Sequence, residues 1–477
     1  MSQFDAIVVG AGPNGLAAAI TLQQAGLQVL VLEGQDTIGG GLRSKQLTLP
    51  GYVHDVCSAI HPMAAASPFF AKLPLKEHGL EFIYPPVAAA HPFDDGTAAV
   101  VHHSLEHTAQ LLGEDEQKYT RLLAPIVNMW PDIVDDILGP LHFPKHPLKM
   151  AKFGMHALLP ATVIAKRFSS PKTKGLWAGM AAHAIQSLDN ATTAAIGLVL
   201  MAAAHLRGWP VPKGGSVSIA HALAAYFISL GGKIETGRYV QSLDELPPAK
   251  AVLLDVTPRQ FLKIAGHKLS GLYKWQLEKY RYGMGVFKID WALSDRIPFT
   301  AAACREAGTV HLGNTIEEIA ESEKLSSIGQ HPEKPFVLLA QPSVFDDSRA
   351  PFGKHTAWAY CHVPHGSTQD MTAAIENQVE RFAPGFKDCI VARHSFNTAQ
   401  MEAYNPNYIG GNINGGVINW RQLYTRPAVR ISPYSTPLQG IYICSSPTPP
   451  GGGVHGMCGY HAARKALKDV FGLTLNK

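Results

Sequence analysis

Glycines at positions 10, 12 and 15, an acid at 33 and an arginine at 43 are the residues whose types and spacing point most directly to chemistry. The glycines follow an apolar run over 6–9 and open the segment PNGLAAAITLQQ, so they stand where a strand turns into a helix. Gly10 permits the tight turn, Gly12 lets backbone approach a diphosphate, and Gly15 lets the helix lie close on the sheet. Free N–H groups and the positive dipole end at such a helix start favour an anion, and Pro13 suits the first turn because its missing N–H is not needed there. Gly26 ends the helix. A second apolar run over 29–32 closes in Glu33, placed to accept from both hydroxyls of an adenosine ribose and to repel a 2′-phosphate. Strand, turn, helix, strand and acid in this register form a dinucleotide-binding unit and argue against NADP in it.

Two more stretches can complete such a site. Just past Glu33, IGGGLRS brings Gly39, Gly40, Gly41 and Arg43 to where the chain folds back over a dinucleotide, and an arginine offers a forked donor to diphosphate oxygens. Near the end, GIYICSSPTPPGGGVHGMCGYHAARKALKDVF predicts a strand over 441–444, a glycine loop, and an amphipathic helix over about 454–470. The N–H groups of Val454, His455 and Gly456 would aim a dipole at something electron-rich, such as the N1/C2=O edge of a reduced flavin. Two histidines are candidates for chemistry. His455 lies inside that loop, where it either stabilises a reduced anion or serves as a structural cap; His183, among small apolar residues, either polarises a substrate carbonyl, accepts a proton, or is a satisfied core histidine.

The opening GAGPNGLAAA…VLE, the GGGLRS turn, the middle GWPVPKGGSVSIAHALAAYFISLGGKIETG and the closing TPPGGGVHGMCGYHAA resemble the phytoene desaturase/carotenoid isomerase-like FAD-dependent oxidoreductases over nearly the whole chain. The resemblance is nearest to the branch of pyridine nucleotide-disulfide oxidoreductase domain-containing protein 2. It implies non-covalent FAD rather than NAD, in an α/β, glutathione-reductase-like two-domain fold with a discontinuous Rossmann-type FAD domain and an α+β substrate domain. Carried over by position, Gly10, Gly12, Gly15 and Glu33, with Pro13 and Asn14 in the turn, would hold the ADP half. Gly40 and Arg43, with Gly41 and Leu42 between them, would hold the pyrophosphate, Val240 would offer backbone to the adenine, and Gly453, Val454, His455 and Gly456 would face the flavin.

The activity so implied is hydride transfer from a hydrophobic, polyene- or isoprenoid-like substrate to flavin N5, with oxygen or a quinone as acceptor. The pocket would be apolar and aromatic, with Trp177, Met180, His183, His205 and Trp209 as candidate lining and His455 and His183 as candidate catalytic groups. Amine oxidation is a second reading, to which Trp420 and Tyr424 could contribute. Ser445, Ser446, Pro447 and Thr448 stand where many amine oxidases carry an acid, which tilts the comparison toward desaturases. An FAD-requiring double-bond isomerase or FAD-bound interaction protein is a third. Despite the branch's name there is no CxxC, and Gly214-Gly215 and Gly231-Gly232 lack the spacing of a second nucleotide motif, so reduction by a nicotinamide is not supported. Cys458 and Tyr460 lack the context of a covalent flavin attachment.

These stretches lie far apart, so a discontinuous layout must assemble them: residues 1–65, 205–265 and 430–477 as the FAD domain, and 66–204 with 266–429 as a substrate domain whose sheet is covered by helices on one face. The chain of 477 residues, 46% apolar and 16% charged, suits two domains with large cores, and a formal charge of +4 gives no argument for nucleic acid. Six cysteines scattered without a CxxC pair indicate neither a zinc site nor a redox-active disulfide and suit a reducing compartment. No signal peptide or long apolar span is visible, so a cytoplasmic protein is expected. The basic segment 146–168 suits a helix pair lying on an anionic bilayer surface or lining the mouth of an apolar tunnel, or an ordinary amphipathic helix packed on the substrate domain; Pro160 interrupts it, which weakens the membrane reading, and packing is the favoured expectation. No pattern fixes an oligomeric state, with a homodimer as the default.

Overall fold

The computed structural model describes residues 4–423 and 425–474. Five parallel strands form one sheet in the order Ile441–Ile443, Ala251–Leu254, Ala6–Val9, Val29–Leu32, Lys233–Glu235, with Ala6 opposite both Val29 and Ala251. Every residue of the three central strands is buried, as a parallel sheet covered on both faces requires. On one face Val8, Val31 and Leu253 meet the helices Pro13–Gln24, Val217–Ser229 and Met457–Ala466. On the other, Ile7, Leu30 and Leu254 meet Phe261 and Ile264 of the helix Pro258–Ala265. Phe69 and Phe70 join the first of these cores.

A seven-stranded mixed sheet runs Ile390–Phe396, Gly285–Leu293, His355–Val363, Val337–Ala340, Ala307–Leu312, Val87–Pro92, Ala98–Val101. Only the pairing of Ala307–Leu312 with Val87–Pro92 is parallel. Its inner face, with Leu338, Trp358 and Tyr360, packs against the helices Glu116–Ile137, Pro147–Ala157, Ala161–Ala165, Pro171–Ala181 and Thr193–Arg207. The outer face is covered too: Ile289, Trp291 and Leu339 pack against Ile375, Val379 and Phe382 of the helix Thr372–Phe382. The expectation of helices on one face is therefore corrected. Nine buried residues in succession over Gly285–Leu293 record this double covering. The adjoining strand His355–Val363 is likewise nine residues long.

The two halves are tied by the Arg349 guanidinium, whose Nη2 donates to Asp55 Oδ2 at 2.6 Å, both side chains having no exposure. Asp55 also accepts from Ser44 Oγ at 2.6 Å and from the Ser216 N–H at 2.8 Å. Burial works to raise its pKa, but Arg349 and these donors outweigh burial and hold the carboxyl below its ordinary value. Among the described residues no helix is long and apolar enough to cross a membrane, and no cluster of side chains could hold a metal ion.

Candidate cofactor and substrate site

A cavity of about 710 Å³ runs from the glycine turn to the inner face of the seven-stranded sheet. Gly10, Gly12, Pro13, Asn14, Glu33, Gly40, Gly41 and Arg43 bound one end, and His183, Leu200, Trp209, Thr309, Leu338, Trp358 and Tyr360 the other. Val240, Gly453 and Val454 lie on its walls. Four residues expected at the cofactor stand behind the wall. Gly15 turns its N–H to Asp255 Oδ2 at 2.9 Å. Leu42 is enclosed in the core beneath the parallel sheet. Gly456, at φ +69°, caps the helix that begins at Met457 rather than near 454. His455 is 1% exposed, and its Nδ1 accepts the Met457 N–H at 3.0 Å. Burial lowers it to about 4, so it is a neutral cap of the glycine loop. The structure thus gives His455 the structural one of its two expected roles.

The glycine turn is shaped by a residue the sequence did not single out. Asp255, at the end of the neighbouring strand, packs under all three glycines: a β-carbon at Gly10 would meet its Cβ at 3.1 Å, and one at Gly12 or Gly15 its Oδ2 at 2.9 or 3.2 Å. At Gly15 the added carbon would also fall 2.0 Å from the Gly10 carbonyl oxygen. Gly40 comes as close from above, its β-carbon position lying 3.2 Å from the Gly12 Cα. Buried and near Glu33, Asp255 has its pKa raised to about 7, burial being the larger cause and the Gly15 N–H opposing it.

Glu33 does two jobs. Its Oε2 accepts the Ala11 N–H at 2.8 Å, and its Oε1 accepts from the Gln35 N–H at 3.0 Å and from Arg43 Nη2 at 3.1 Å. Each carboxylate oxygen has two lone pairs. Oε2 therefore keeps acceptor capacity for one ribose hydroxyl rather than the two expected. Arg43 also donates from Nε and Nη2 to the Thr37 carbonyl at 3.0 and 2.9 Å, so part of its fork is spent on the loop. Asn14 Oδ1 is enclosed beside this turn without a partner among the described residues.

At the far end the lining is apolar and aromatic. Trp358 and Tyr360 meet edge to face with centroids 5.2 Å apart. Trp209 donates from Nε1 to Thr309 Oγ1 at 2.9 Å and presents its ring to His183. His183 Nε2 lies 3.0 Å from Nε2 of His311, a fully buried residue whose Nδ1 has no partner among the described residues. Burial lowers His183 to about 3 and His311 well below its ordinary value, so both are neutral. A stranded lone pair costs less than a stranded N–H. His311 therefore donates through Nε2, His183 accepts, and His183, which lines the cavity, is left with its proton on Nδ1. Trp177, Met180 and His205, expected as lining, are instead core: Trp177 donates to the Ala161 carbonyl at 2.8 Å, and His205 pairs with Tyr119 at 2.6 Å. Tyr424 lies outside the described residues, and of Trp420 only the backbone is described.

Beside Trp358 and Tyr360, the neighbouring strand Gly285–Leu293 places Lys288 and Asp290 on the inner face as a fully buried ion pair. Burial pushes Lys288 down and Asp290 up to about 6, each held back by the other's charge. The Lys288 ammonium lies 5.9 Å from the Trp358 ring centroid. Cys458 and Tyr460 do not reach the cavity: Cys458 points its thiol at the carbonyls of Thr448 and Gly451, and Tyr460 packs on Phe69.

Residues 8–73 match the family model of the NAD(P)-binding Rossmann-like domain. Over 98% of this chain and 94% of its own length, the mouse (Mus musculus) pyridine nucleotide-disulfide oxidoreductase domain-containing protein 2 is 26% identical. A limonene dehydrogenase polypeptide of Castellaniella defragrans is 22% identical over 98% of this chain and 95% of its own. A lycopene-forming phytoene desaturase of Paracoccus sp. is 22% identical over 95% of each. Among solved structures, an oxidoreductase of Methanosarcina mazei superimposes with a TM-score of 0.64 at 16% identity, covering 97% of this chain and 99% of that one. Putrescine oxidase bound to putrescine gives 0.61 at 16%, covering 98% and 99%. The structural likenesses establish the two-domain fold, with its parallel Rossmann sheet and mixed second sheet. By motif, fold and full-length similarity, the chain is a Rossmann-type FAD/NAD(P)-binding oxidoreductase relative, akin to pyridine nucleotide-disulfide oxidoreductase domain-containing protein 2 and phytoene desaturase.

Proposed function

We propose that this chain is an FAD-dependent oxidoreductase that removes hydride from a neutral, largely hydrocarbon substrate of polyene or isoprenoid type, with oxygen or a quinone as the final acceptor. One observation carries the reading: the carboxylates lining the cavity, Glu33 and Asp255, both stand at the glycine end, and the far end is built from Leu200, Trp209, Leu338, Trp358 and Tyr360. A cationic amine would find no counter-charge there, whereas an apolar chain would bury its surface against rings and aliphatic groups. The paired charges of Lys288 and Asp290 beside that wall neutralise each other. Two full-length relatives are named for limonene and phytoene, both isoprenoid hydrocarbons, which supports the same class.

The residues present fit a flavin dinucleotide. Glu33 Oε2 suits a ribose hydroxyl, the N-terminus of the helix Pro13–Gln24 and the free part of the Arg43 fork suit the diphosphate, and Val240 offers a wall for the adenine. FAD so held would supply the hydride-accepting chemistry. The chain's own share is placement and the exclusion of water: Ile60, Met63, Leu200 and Trp209 close the far end, and His183 Nδ1–H offers one donor to fix a substrate's orientation. Protein purified and mixed with FAD should show flavin absorbance. Anaerobically, that absorbance should bleach with isoprenoid or polyene hydrocarbons and persist with primary amines. A colourless protein after FAD addition sinks the reading, and bleaching by amines alone, with peroxide released in air, replaces it with amine oxidation.

A further inference from the structure

The helical layer over the seven-stranded sheet carries an apolar surface that none of the described residues covers. Leu141, Phe143, Leu148 and Met155 are 74, 85, 86 and 65% exposed, and Leu158 and Val163 beside them are 52 and 40% exposed. In the helix Pro147–Ala157, Leu148 and Met155 are seven residues apart on one stripe, while Phe153 and Ala157 on the opposite side are buried in the core. The helix is therefore apolar on two faces, one satisfied by the protein and one open. Isolated surface leucines need no explanation, but six large apolar side chains gathered within one short stretch do.

The surrounding charge says what covers them. No aspartate or glutamate occurs between Asp136 and Asp189, whereas seven lysines and arginines do. Lys149 and Lys145 are paired with Asp132 and Asp135 of the preceding helix, and Lys172 with Asp95. Among the described residues no ion pair engages Lys152, Lys166 or Arg167, which are exposed around the apolar stripe. An apolar face rimmed by unpaired cations matches the acyl boundary and headgroups of an anionic bilayer. It matches a second copy of this chain less well, because two such faces would bring like charges together.

We propose that the surface formed by residues 141–167 docks this protein peripherally on an anionic lipid bilayer, with Phe143, Leu148 and Met155 entering the headgroup region and Lys152, Lys166 and Arg167 contacting lipid phosphates. The proposal stands independently of the flavin reading. It agrees with the sequence-based preference for an amphipathic helix packed on the substrate domain through Phe153 and Ala157, and adds an occupant for the open face: the first helix ends at Ala157, a second starts at Ala161 after Pro160, and Leu148, Met155 and Val163 all remain exposed.

The test is co-sedimentation of the full-length protein with vesicles of phosphatidylcholine alone or mixed with phosphatidylglycerol. Wild type should pellet with the mixed vesicles, less with the neutral ones, and return to solution at high salt. The combined variant F143S, L148S, M155S should stay in solution while keeping the wild-type thermal unfolding midpoint. K152E, K166E, R167E should lower the partition coefficient by on the order of a hundredfold. F352S, which alters a still more open phenylalanine elsewhere, should pellet like wild type. Equal sedimentation of wild type and the serine variant overturns the proposal, as does failure of wild type to bind either vesicle. A wild-type dimer that the serine variant converts to a monomer assigns the face to a second copy and overturns it as well.

Discussion

Asp255 lies directly beneath Gly12, its Oδ2 2.9 Å from where a β-carbon on that glycine would fall, and the same oxygen accepts the Gly15 N–H at 2.9 Å. A carboxyl thus occupies the underside of the turn whose upper side suits a diphosphate. The groups around it are the Gly15 N–H, the buried thiols of Cys444 and Cys458 and, at longer range, the Glu33 carboxylate, and no ion pair engages it among the described residues.

The first prediction follows from that position. A carboxyl raised to about 7 in the folded state binds a proton that the unfolded chain has released, so its contribution to stability is full below about pH 4 and is lost as pH rises through 7. D255N should escape this loss. Its stability relative to wild type should improve between those limits by at most on the order of 4 kcal/mol. A bound diphosphate would add negative charge nearby, so wild-type FAD affinity should weaken above pH 7, by up to roughly tenfold per pH unit, while D255N stays flat. Urea unfolding and flavin fluorescence titrations over a pH series measure both effects, and parallel pH slopes for the two proteins would exclude the coupling.

The second concerns close backbone approach. A β-carbon at Gly459 would lie 1.8 Å from the Asn14 carbonyl oxygen, and one at Gly15 2.0 Å from that of Gly10. Both obstacles are backbone, and neither can swing aside as a side chain would. G459A and G15A should each destabilise by about 3 kcal/mol or more and release FAD. In the control G26A the added carbon meets nothing within 4 Å, and the cost is confined to its φ of +84°. Thermal unfolding with and without added FAD orders the three variants.

The dinucleotide half of the site was legible because its parts are local. Gly10, Gly12, Gly15 and Glu33 sit within one strand–turn–helix–strand unit, where spacing alone fixes which groups meet. Asp255 was not, because it comes from a strand 240 residues beyond Gly15 and nothing near it in sequence marks it as facing the turn. His311 escaped for the same reason, lying 128 residues from His183. One signal was available and passed over: in VFKIDWAL, Lys288 and Asp290 alternate with Phe287, Ile289 and Trp291, which puts two charges on one face of an otherwise apolar strand. His455 misled because a histidine in a flavin-facing loop and a histidine capping the next helix have the same sequence.

The third prediction tests the joint between the halves. Removing one member of the Asp55–Arg349 pair strands a buried charge, so R349M and D55N should each cost about 3–5 kcal/mol, and the double change to leucine at 55 and methionine at 349 should recover much of it. Because Arg349 holds Asp55 below its ordinary pKa, this stabilisation is present above about pH 4 and lost as pH falls through the folded value. Acid unfolding should therefore shift to higher pH in R349M. Denaturation monitored by tryptophan fluorescence across pH 3 to 7 follows the shift.

The last prediction comes from the tautomer that His311 imposes on His183. With Nε2 accepting from His311, His183 offers Nδ1–H and no acceptor to the cavity, and burial keeps the ring neutral across the physiological range. A ligand with an acceptor oxygen at that end should gain a hydrogen bond that its hydrocarbon analogue lacks. Against a site built to donate, the difference should approach tenfold in Kd. β-Ionone and a hydrocarbon of matching size, titrated into the FAD-loaded protein and read by the flavin absorbance change, make the comparison. In H183F the preference should vanish while hydrocarbon binding persists, and in H183Q, whose amide can still donate, part of it should return. H311L removes the group that fixes the tautomer, so the ring can present either nitrogen and the preference should fall without being lost. Equal affinities in wild type would show that the His183 proton does not face the ligand, whereas failure of both compounds to perturb the flavin would count against an apolar substrate altogether.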